Sequence, residues 1–249
     1  MHRTIRYLSH PQVVIDPTKP IPDWSLSEVG LGRIAALAAS DALTGTRHVI
    51  SSAETKAIET ATPLAKSLGC RLKVREAMHE NDRSATGFLP PDEFESVVDQ
   101  FFGCPEESVR GWETARAAQA RIVAEVQDCL RNCETGDVLF VGHGGVGTLL
   151  FCYLSGDPIS REFDQGTNGG GCFFEFSGPQ GKPNSRWQPF ETLINQDCGT
   201  LVLSRLQGRH RTRLRGHLAA MPRALDAQRA GPCLARPAHR HRRRDPAGL

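Results

Sequence analysis

Two histidines in this sequence, His10 and His143, each come shortly after a predicted β-strand, and the strand before His143, residues 138–141, is the short apolar run typical of a buried strand. His143 stands among the glycines of residues 142–145, and a second apolar run typical of a helix follows at once. Because a helix that begins at glycines presents free backbone N–H groups and the positive end of its dipole, this turn favours an anion. One such imidazole can be the nucleophile of a phosphoryl transfer, and the other can hydrogen-bond the transferring group. The alternative is that His143 is an ordinary loop histidine between conformationally tolerant glycines.

Three charged side chains extend this set of candidates. Glu80 and Arg83 belong to a dense polar run, residues 77–83, and Lys56 lies in the first turn of a predicted helix. A carboxyl such as Glu80 can protonate the leaving oxygen, while cations and glycine N–H groups take the phosphoryl charge, so the chemistry requires no metal or other cofactor. A cation is misplaced at the start of a helix unless an anion lies nearby. A solvated surface lysine is the alternative explanation for Lys56.

Hydrophobic periodicity predicts strands and helices that alternate along the chain. The predicted strands cover residues 4–9, 48–52, 71–74, 138–141, 172–176 and, at an edge, 186–193. The first predicted helix begins at Ser25 or Ser27, which caps it. The other predicted helices cover residues 54–68, 90–102, 112–133 and a segment that ends near 155. This alternation indicates an α/β fold of three layers, in which a mostly parallel sheet carries helices on both faces. The first four strands then end at one rim of the sheet, which brings the two histidines and the charged candidates together.

Four segments match, in order and in strand context, the motifs of one protein family. Residues 7–11, Tyr-Leu-Ser-His-Pro, take the place of a strand that ends in Arg-His-Gly, and residues 26–30 look like a Leu-Thr-x-x-Gly helix start. Residues 51–61 are similar to a Ser-Ser-x-x-x-Arg-Ala-x-x-Thr-Ala segment, and residues 141–145 stand where a second histidine motif belongs. Over roughly residues 4–193 the chain therefore resembles the histidine phosphatase superfamily, which has the phosphoglycerate-mutase-like fold.

The resemblance implies roles for three of the candidates. His10 takes the position of the phospho-accepting nucleophile, and His143 takes that of the second pocket histidine. Glu80 matches the position of the general acid, after the third strand.

Three departures from the family pattern lie at the predicted pocket and leave it with less fixed positive charge than the pattern provides. Ser9 replaces the arginine before the nucleophile, Pro11 replaces the glycine after it, and Lys56 replaces the second phosphate arginine. An arginine grips phosphate with a planar fork of donors, whereas lysine offers a point charge and serine one hydroxyl. Arg83 could restore part of that charge, and a solvated arginine is the alternative. The predicted phosphate-binding residues are therefore Ser9, Lys56, Arg83 and Gly144.

Two classes of function follow from these residues. The first is a metal-independent phosphomonoester hydrolase that forms a phosphohistidine and acts on a small phosphorylated substrate. The second is a non-catalytic or weakly active member of the same fold that binds a phosphorylated ligand. Retention of His10, Glu80 and His143 together favours the hydrolase, while Ser9 and Lys56 favour the binding protein. A mutase is disfavoured, because holding a phosphorylated enzyme against water calls for a strongly cationic pocket.

The charge of the chain is divided unevenly, although the formal net charge is only +2. Residues from 205 onward carry 12 Arg and 2 Asp, and the preceding residues carry 18 basic and 26 acidic groups. We expect residues 1–195 to form the histidine-phosphatase-like domain and residues 196–249 to be a disordered, low-complexity tail. One interpretation of the tail is an arginine-rich arm for nucleic acid or an acidic surface, and the one we favour is translation out of frame past the natural end. The body has ordinary composition and gives no sign of nucleic-acid binding.

Composition also bears on the compartment. The sequence shows no secretory signal and no apolar run long enough to cross a bilayer, so no membrane partner is expected. The 8 cysteines include no CxxC pair and no cluster at zinc spacing. A cytoplasmic location is therefore predicted, and the oligomeric state is left open.

Overall fold

A six-stranded sheet with helices on both faces forms the centre of the fold. The computed structural model describes residues 3–133, 135–166 and 169–194. The strands are β1 (Ile5–Ser9), β2 (Thr46–Ser52), β3 (Leu72–Arg75), β4 (Asp137–Gly142), β5 (Cys172–Phe176) and β6 (Gln188–Pro189). The helices are α1 (Glu28–Ala38), α2 (Thr55–Ser67), α3 (Pro91–Gly103), α4 (Ala115–Arg131) and α5 (Gly144–Ser155).

The strands run in the order β3-β2-β4-β1-β5-β6, and the first four in that order are parallel to one another. β5 pairs antiparallel with β1 and with β6, so the predicted mostly parallel sheet is confirmed. The edge strand β6 is shorter than the predicted residues 186–193. It ends at Pro189, which has no N–H to donate to a ladder, and the chain then turns into a short helical segment.

Alternate side chains of each strand supply the two halves of the core. Val138 and Phe140 of β4 pack in one cluster with α3, α4 and α5, while Leu139 and Val141 pack in the other with α1 and α2. Because each central strand is buried on both faces, it reads as a continuous apolar run in the sequence. The predicted three-layer α/β architecture is therefore confirmed.

The helix starts follow local capping rules at α1 and α4 but not at α2. The Ser27 hydroxyl accepts the N–H of Gly30 at 3.2 Å, and the Thr114 hydroxyl accepts that of Ala117 at 3.1 Å. Glu54 precedes α2 and makes no such side-chain cap. Its carboxylate is used elsewhere, at the site described below.

The register of the parallel strands fixes which residues meet at the rim. Ser9 lies opposite Gly142, and Ser52 lies opposite Arg75. The segments that follow β1 and β4 therefore leave the sheet side by side. The segment that follows β2 leaves next to that of β4, and the segment that follows β3 leaves next to that of β2. The prediction that these four strand ends share one rim is confirmed.

Some predictions fall outside these elements. The boundary at residue 195 and the tail of residues 196–249 lie outside the described residues. Among the described residues, no helix combines the length and apolarity needed to span a membrane. The predicted cytoplasmic location stays a prediction.

Candidate active site

His10 leaves β1 at the rim where β4 also ends. Its N–H donates to Gly142 O at 2.9 Å, and its C=O accepts the N–H of Gly171 at 2.9 Å. Gly170 packs against the same carbonyl with a φ of 77°, and a Cβ there would lie 2.2 Å from His10 O. Only glycine fits at that position, because the backbone is left-handed and the approach is too close for a side chain.

The His10 ring is held in one orientation. Its Nδ1 donates to Pro11 O at 2.8 Å, which leaves Nε2 as the nitrogen available for chemistry. Burial lowers the pKa of His10 to about 4, although the hydrogen bond to Pro11 O opposes this shift. The ring is therefore neutral at pH 7, with a free lone pair on Nε2.

His143 lies beside His10 and is fully buried. The ring centroids are 5.3 Å apart at an interplanar angle of 71°. His143 Nε2 lies 2.8 Å from Ser52 Oγ, and Nδ1 has no hydrogen-bond partner among the described residues. Burial lowers the pKa of His143 well below its ordinary value, and the Glu54 charge opposes that shift. The structure thus brings the two predicted histidines together as neutral imidazoles.

Glu80 reaches the same place from the loop after β3. Its Oε2 accepts the N–H of Gly145 at 3.0 Å, and its Oε1 accepts those of Val146 at 2.8 Å and Asn81 at 3.1 Å. A Cβ on Gly145 would lie 2.7 Å from Oε1, so this glycine makes room for the carboxylate. The anion position predicted at the start of α5 is therefore taken by the protein's own Glu80. Gly144, a predicted phosphate-binding residue, packs against the amide of Gln165 and lines the same cavity as His10.

Arg121 of α4 holds the loop that carries Glu80. Its guanidinium donates to Ala77 O and His79 O at 2.9 Å each and to Glu80 O at 3.3 Å. It also pairs with Glu113 at 2.7 Å. Because one planar fork binds three carbonyls within residues 77–80, Glu80 is fixed relative to α4 rather than free on the surface.

Lys56 is not a solvated surface lysine, since it is only 4% exposed. Its Nζ pairs with the carboxylate of Glu54 and donates to Ile21 O at 2.9 Å. Glu54 Oε1 also accepts the N–H of Glu80 at 2.8 Å and lies 3.5 Å from His143 Nε2. Burial raises the pKa of Glu54, but the Lys56 charge and the hydrogen bonds from Lys56 and from the Glu80 N–H outweigh it and hold the pKa below its ordinary value. The lysine charge is thus balanced by a buried carboxylate.

Arg83 is the other predicted phosphate-binding cation. Its guanidinium lies 4.8 Å from the centroid of the Phe94 ring and forms no ion pair within the described residues. Burial lowers the pKa of Arg83, and the charges of Glu80 and Glu54 oppose that shift. With His10 and Glu80 it lines a cavity of about 190 Å³. Arg83 is therefore placed to meet an anion there.

Ser9 has contacts that do not fit a phosphate-binding role. Its hydroxyl is fully buried, accepts the N–H of Cys172 at 3.0 Å, and lies within hydrogen-bonding distance of Gln165 Oε1 and Cys172 O. It joins β1 to β5 and to the loop before it. The structure thus gathers His10, Glu80 and Arg83 at one cavity, places the buried His143 behind the His10 ring, and turns Ser9 towards β5.

Sequence reasoning missed three residues of the site: Glu54, Asn81 and Gln165. Glu54 carried a usable signal, because it stands two positions before a lysine at a helix start. Asn81 was visible only as part of the polar run, yet its Nδ2 is buried and has no partner among the described residues. Gln165 carried no signal, since nothing in the sequence marks it within its polar loop.

This fold and site belong to a known class of protein. A sequence model of the histidine phosphatase superfamily (branch 1) matches residues 17–183, which is more than half of the chain. The chain therefore belongs to that superfamily, and this membership supports phosphatase activity in general. The matched range begins after His10, so the Ser-His-Pro segment lies outside it.

Solved structures with the same fold are distant in sequence. Bacillus stearothermophilus YhfR is 18% identical at a TM-score of 0.63, covering 75% of this chain and 96% of its own. The mycobacterial glucosyl-3-phosphoglycerate phosphatase is 19% identical at 0.58, covering 76% and 97%. The phosphoserine phosphatase of Entamoeba histolytica, in complex with 3-phosphoglyceric acid, is 16% identical at 0.58, covering 75% and 97%. No curated protein sequence matches the chain.

Proposed function

We propose that the protein hydrolyses phosphomonoesters through a phosphohistidine formed on His10. The observation that supports this most directly is the cavity that His10, Glu80 and Arg83 line together. A nucleophile, a carboxyl and a cation therefore face the same small space. The substrates in the names of the structural neighbours are not assigned to this chain, because a sequence identity of 16–19% supports only a shared fold.

The first step is attack of His10 Nε2 on phosphorus. The hydrogen bond from Nδ1 to Pro11 O selects the tautomer in which Nε2 has the lone pair. Because the pKa is about 4, that lone pair is free at pH 7. An N–P bond forms, the P–O bond to the leaving group breaks, and its electron pair goes to the leaving oxygen.

Glu80 supplies the proton that the leaving oxygen takes up. Its Oε2 accepts one N–H, from Gly145, and so keeps a lone pair on which a proton can be carried. Once the proton has left, the carboxylate is ionised, and its place at the start of α5 stabilises that charge. The same carboxylate then takes a proton from water as the water oxygen bonds to phosphorus, and the N–P bond breaks with its electron pair returning to His10 Nε2. This releases phosphate and restores the acid.

Arg83 and His143 would hold the phosphoryl oxygens. The Ser52 hydroxyl accepts the N–H of Glu54 at 3.3 Å, which leaves its own hydrogen to donate to His143 Nε2. His143 Nδ1 then carries the ring hydrogen and, being without a partner among the described residues, can donate to the phosphoryl group on His10. The proposed route uses these groups alone, with no metal.

The test is to trap the phosphoenzyme. Protein is mixed with a labelled phosphomonoester and quenched rapidly without acid, and an acid-labile, base-stable label is expected. His10→Ala should abolish both label and turnover, whereas the matched control His48→Ala, at the opposite end of β2, should retain both. Glu80→Gln should slow labelling by roughly 10²–10⁴-fold, as expected for loss of a general acid.

A binding protein without turnover is the second candidate, and the charge of the site favours it. Lys56 and Arg83 are matched by Glu54 and Glu80, so these four residues contribute no net positive charge for a phosphate dianion. Calorimetric titration with phosphate or vanadate separates the two candidates. Binding without any hydrolysis or label would establish the binding protein and overturn the hydrolase.

A further inference from the structure

A second cavity, of about 760 Å³, adjoins the small cavity that contains His10. Glu80, Asn81 and Arg83 line both, whereas His10 lines only the small one. The larger cavity has the size of a small-molecule site, about 300–1,000 Å³, and the smaller falls below that range. The three shared residues therefore mark the junction at which the two cavities meet.

The proposed reaction orients a substrate across this junction. In-line attack by His10 places the leaving oxygen on the far side of phosphorus. That oxygen must lie within reach of Glu80, which stands at the junction. Asn81 Nδ2, buried there without a partner among the described residues, is a donor for an ester or phosphoryl oxygen. The leaving group consequently extends into the larger cavity.

The larger cavity carries an excess of carboxylates. Asp23, Glu76 and Asp82 line it, are exposed, and form no ion pair within the described residues. Hydrogen bonds from Ser84 lower the pKa of Asp82, which keeps it ionised. Glu54 and Glu80 lie deeper in the same lining.

Few cations oppose these carboxylates. Arg121 lines the cavity but is bound to Glu113 and to three loop carbonyls. The ring Nδ1 of His79 donates to Glu80 O at 2.6 Å. Arg83 stands at the junction, where the phosphoryl group is held. The part of the cavity away from the phosphoryl group is therefore negative.

Apart from Ser84 and Gly87, the remaining lining is apolar. It is formed by small or rigid side chains, namely Pro20, Ile21, Pro22, Ala53 and Ala77. Such a surface buries methyl and methylene groups without offering them hydrogen bonds. A leaving group that fits this cavity combines an apolar part with a positive charge and carries no carboxylate.

We infer that the substrate is a phosphomonoester whose leaving group is a small alcohol bearing a cationic amine. Asp23, Glu76 and Asp82 recognise the cation, and the apolar residues pack on its carbon atoms. This inference rests on the proposed hydrolase, which fixes the direction in which the leaving group points.

The test compares three esters by kcat/KM. Phosphocholine carries the cation, 3,3-dimethylbutyl phosphate is its uncharged carbon isostere, and 3-phosphoglycerate carries a carboxylate. Because the first two have the same shape, their ratio isolates the effect of charge. We expect phosphocholine to exceed the isostere by on the order of tenfold, with 3-phosphoglycerate slowest.

Variants locate the effect in the larger cavity. The double variant Asp23→Asn, Glu76→Gln should lower the ratio of phosphocholine to the isostere several-fold towards one, because two of the three carboxylates that recognise the cation are neutralised. Asp41→Asn is the matched control, because this exposed carboxylate lies in the loop between α1 and β2, at the opposite end of the sheet. It should leave the ratio as in the wild type.

The outcomes separate this inference from the proposed function. If 3-phosphoglycerate or the isostere is turned over as fast as phosphocholine, the inference fails and the hydrolase stands. If the double variant has the same ratio of phosphocholine to isostere as the wild type, these carboxylates do not recognise the cation. If none of the three esters is hydrolysed and no label forms on His10, the inference and the proposed function fail together.

Discussion

Replacing His10 by glutamine should make the folded protein less sensitive to acid. Burial lowers the pKa of His10 from 6.5 to about 4, so between these values the unfolded chain binds a proton at this position more readily than the folded protein does. As the pH falls through that window, the wild-type protein loses stability. His10→Gln has no proton to bind there and is spared this loss.

The size of the effect follows from the two pKa values. With a His10 pKa of 6.5 in the unfolded chain and about 4 in the folded protein, the free energy of unfolding falls by about 2 kcal/mol between pH 7 and pH 5. The loss reaches about 3 kcal/mol once the pH lies below both values. His10 lines a cavity, so its ring is only partly shielded from solvent, and both values are upper limits. All other titrating groups are common to both proteins and largely cancel in the comparison.

Urea unfolding at pH 7 and pH 5 measures this difference. The free energy of unfolding should fall by about 2 kcal/mol more in the wild type than in His10→Gln over that interval. His48→Gln, at the far end of β2, is the control and should follow the wild type. Parallel pH dependence in the wild type and His10→Gln would show that His10 is not held neutral by the fold. The account of a free Nε2 lone pair would then have to be abandoned.

Two further substitutions test the arrangement of charge around the histidines. Gly145→Ala should lower turnover by about 10²-fold or more, because its Cβ would lie 2.7 Å from Glu80 Oε1 and displace the acid. Gly32→Ala is the control, because the position has open space around it. Equal losses of turnover in both variants would contradict the reasoning. Lys56→Met should lower the free energy of unfolding in urea by about 3–5 kcal/mol, because it leaves Glu54 as a buried charge without its cation. Adding Glu54→Gln should recover most of that loss, and an unchanged midpoint in the single variant would mean that the pair adds nothing to stability.

The placement of the two histidines was decided by the sequence itself. The strands predicted over residues 4–9 and 138–141 mark two strand ends, and the alternation of strands with helices indicates parallel pairing. Parallel strands share one rim, and the structure confirms this with Ser9 opposite Gly142. Patterns of this kind can be read locally, because strand burial and helix periodicity depend on residues only a few positions apart. The Ser27 cap of α1 was readable for the same reason.

The pairing of charges at the site was decided only by the tertiary structure. Lys56 looked like a phosphate ligand or a surface lysine, and in the fold it is buried against Glu54 and Ile21 O. Glu80 was correctly placed on the rim, but nothing local showed that the N–H groups of Gly145 and Val146 would hold its carboxylate. Ile21, Gly145 and Val146 come from segments distant in the chain, brought close by the sheet and the helices packed on it. Glu54 is a near neighbour of Lys56 in the chain, but the burial of that pair comes from the same packing. Hydrogen bonds and ion pairs depend on separations of a few ångströms, so they are set by that packing rather than by residue type or spacing.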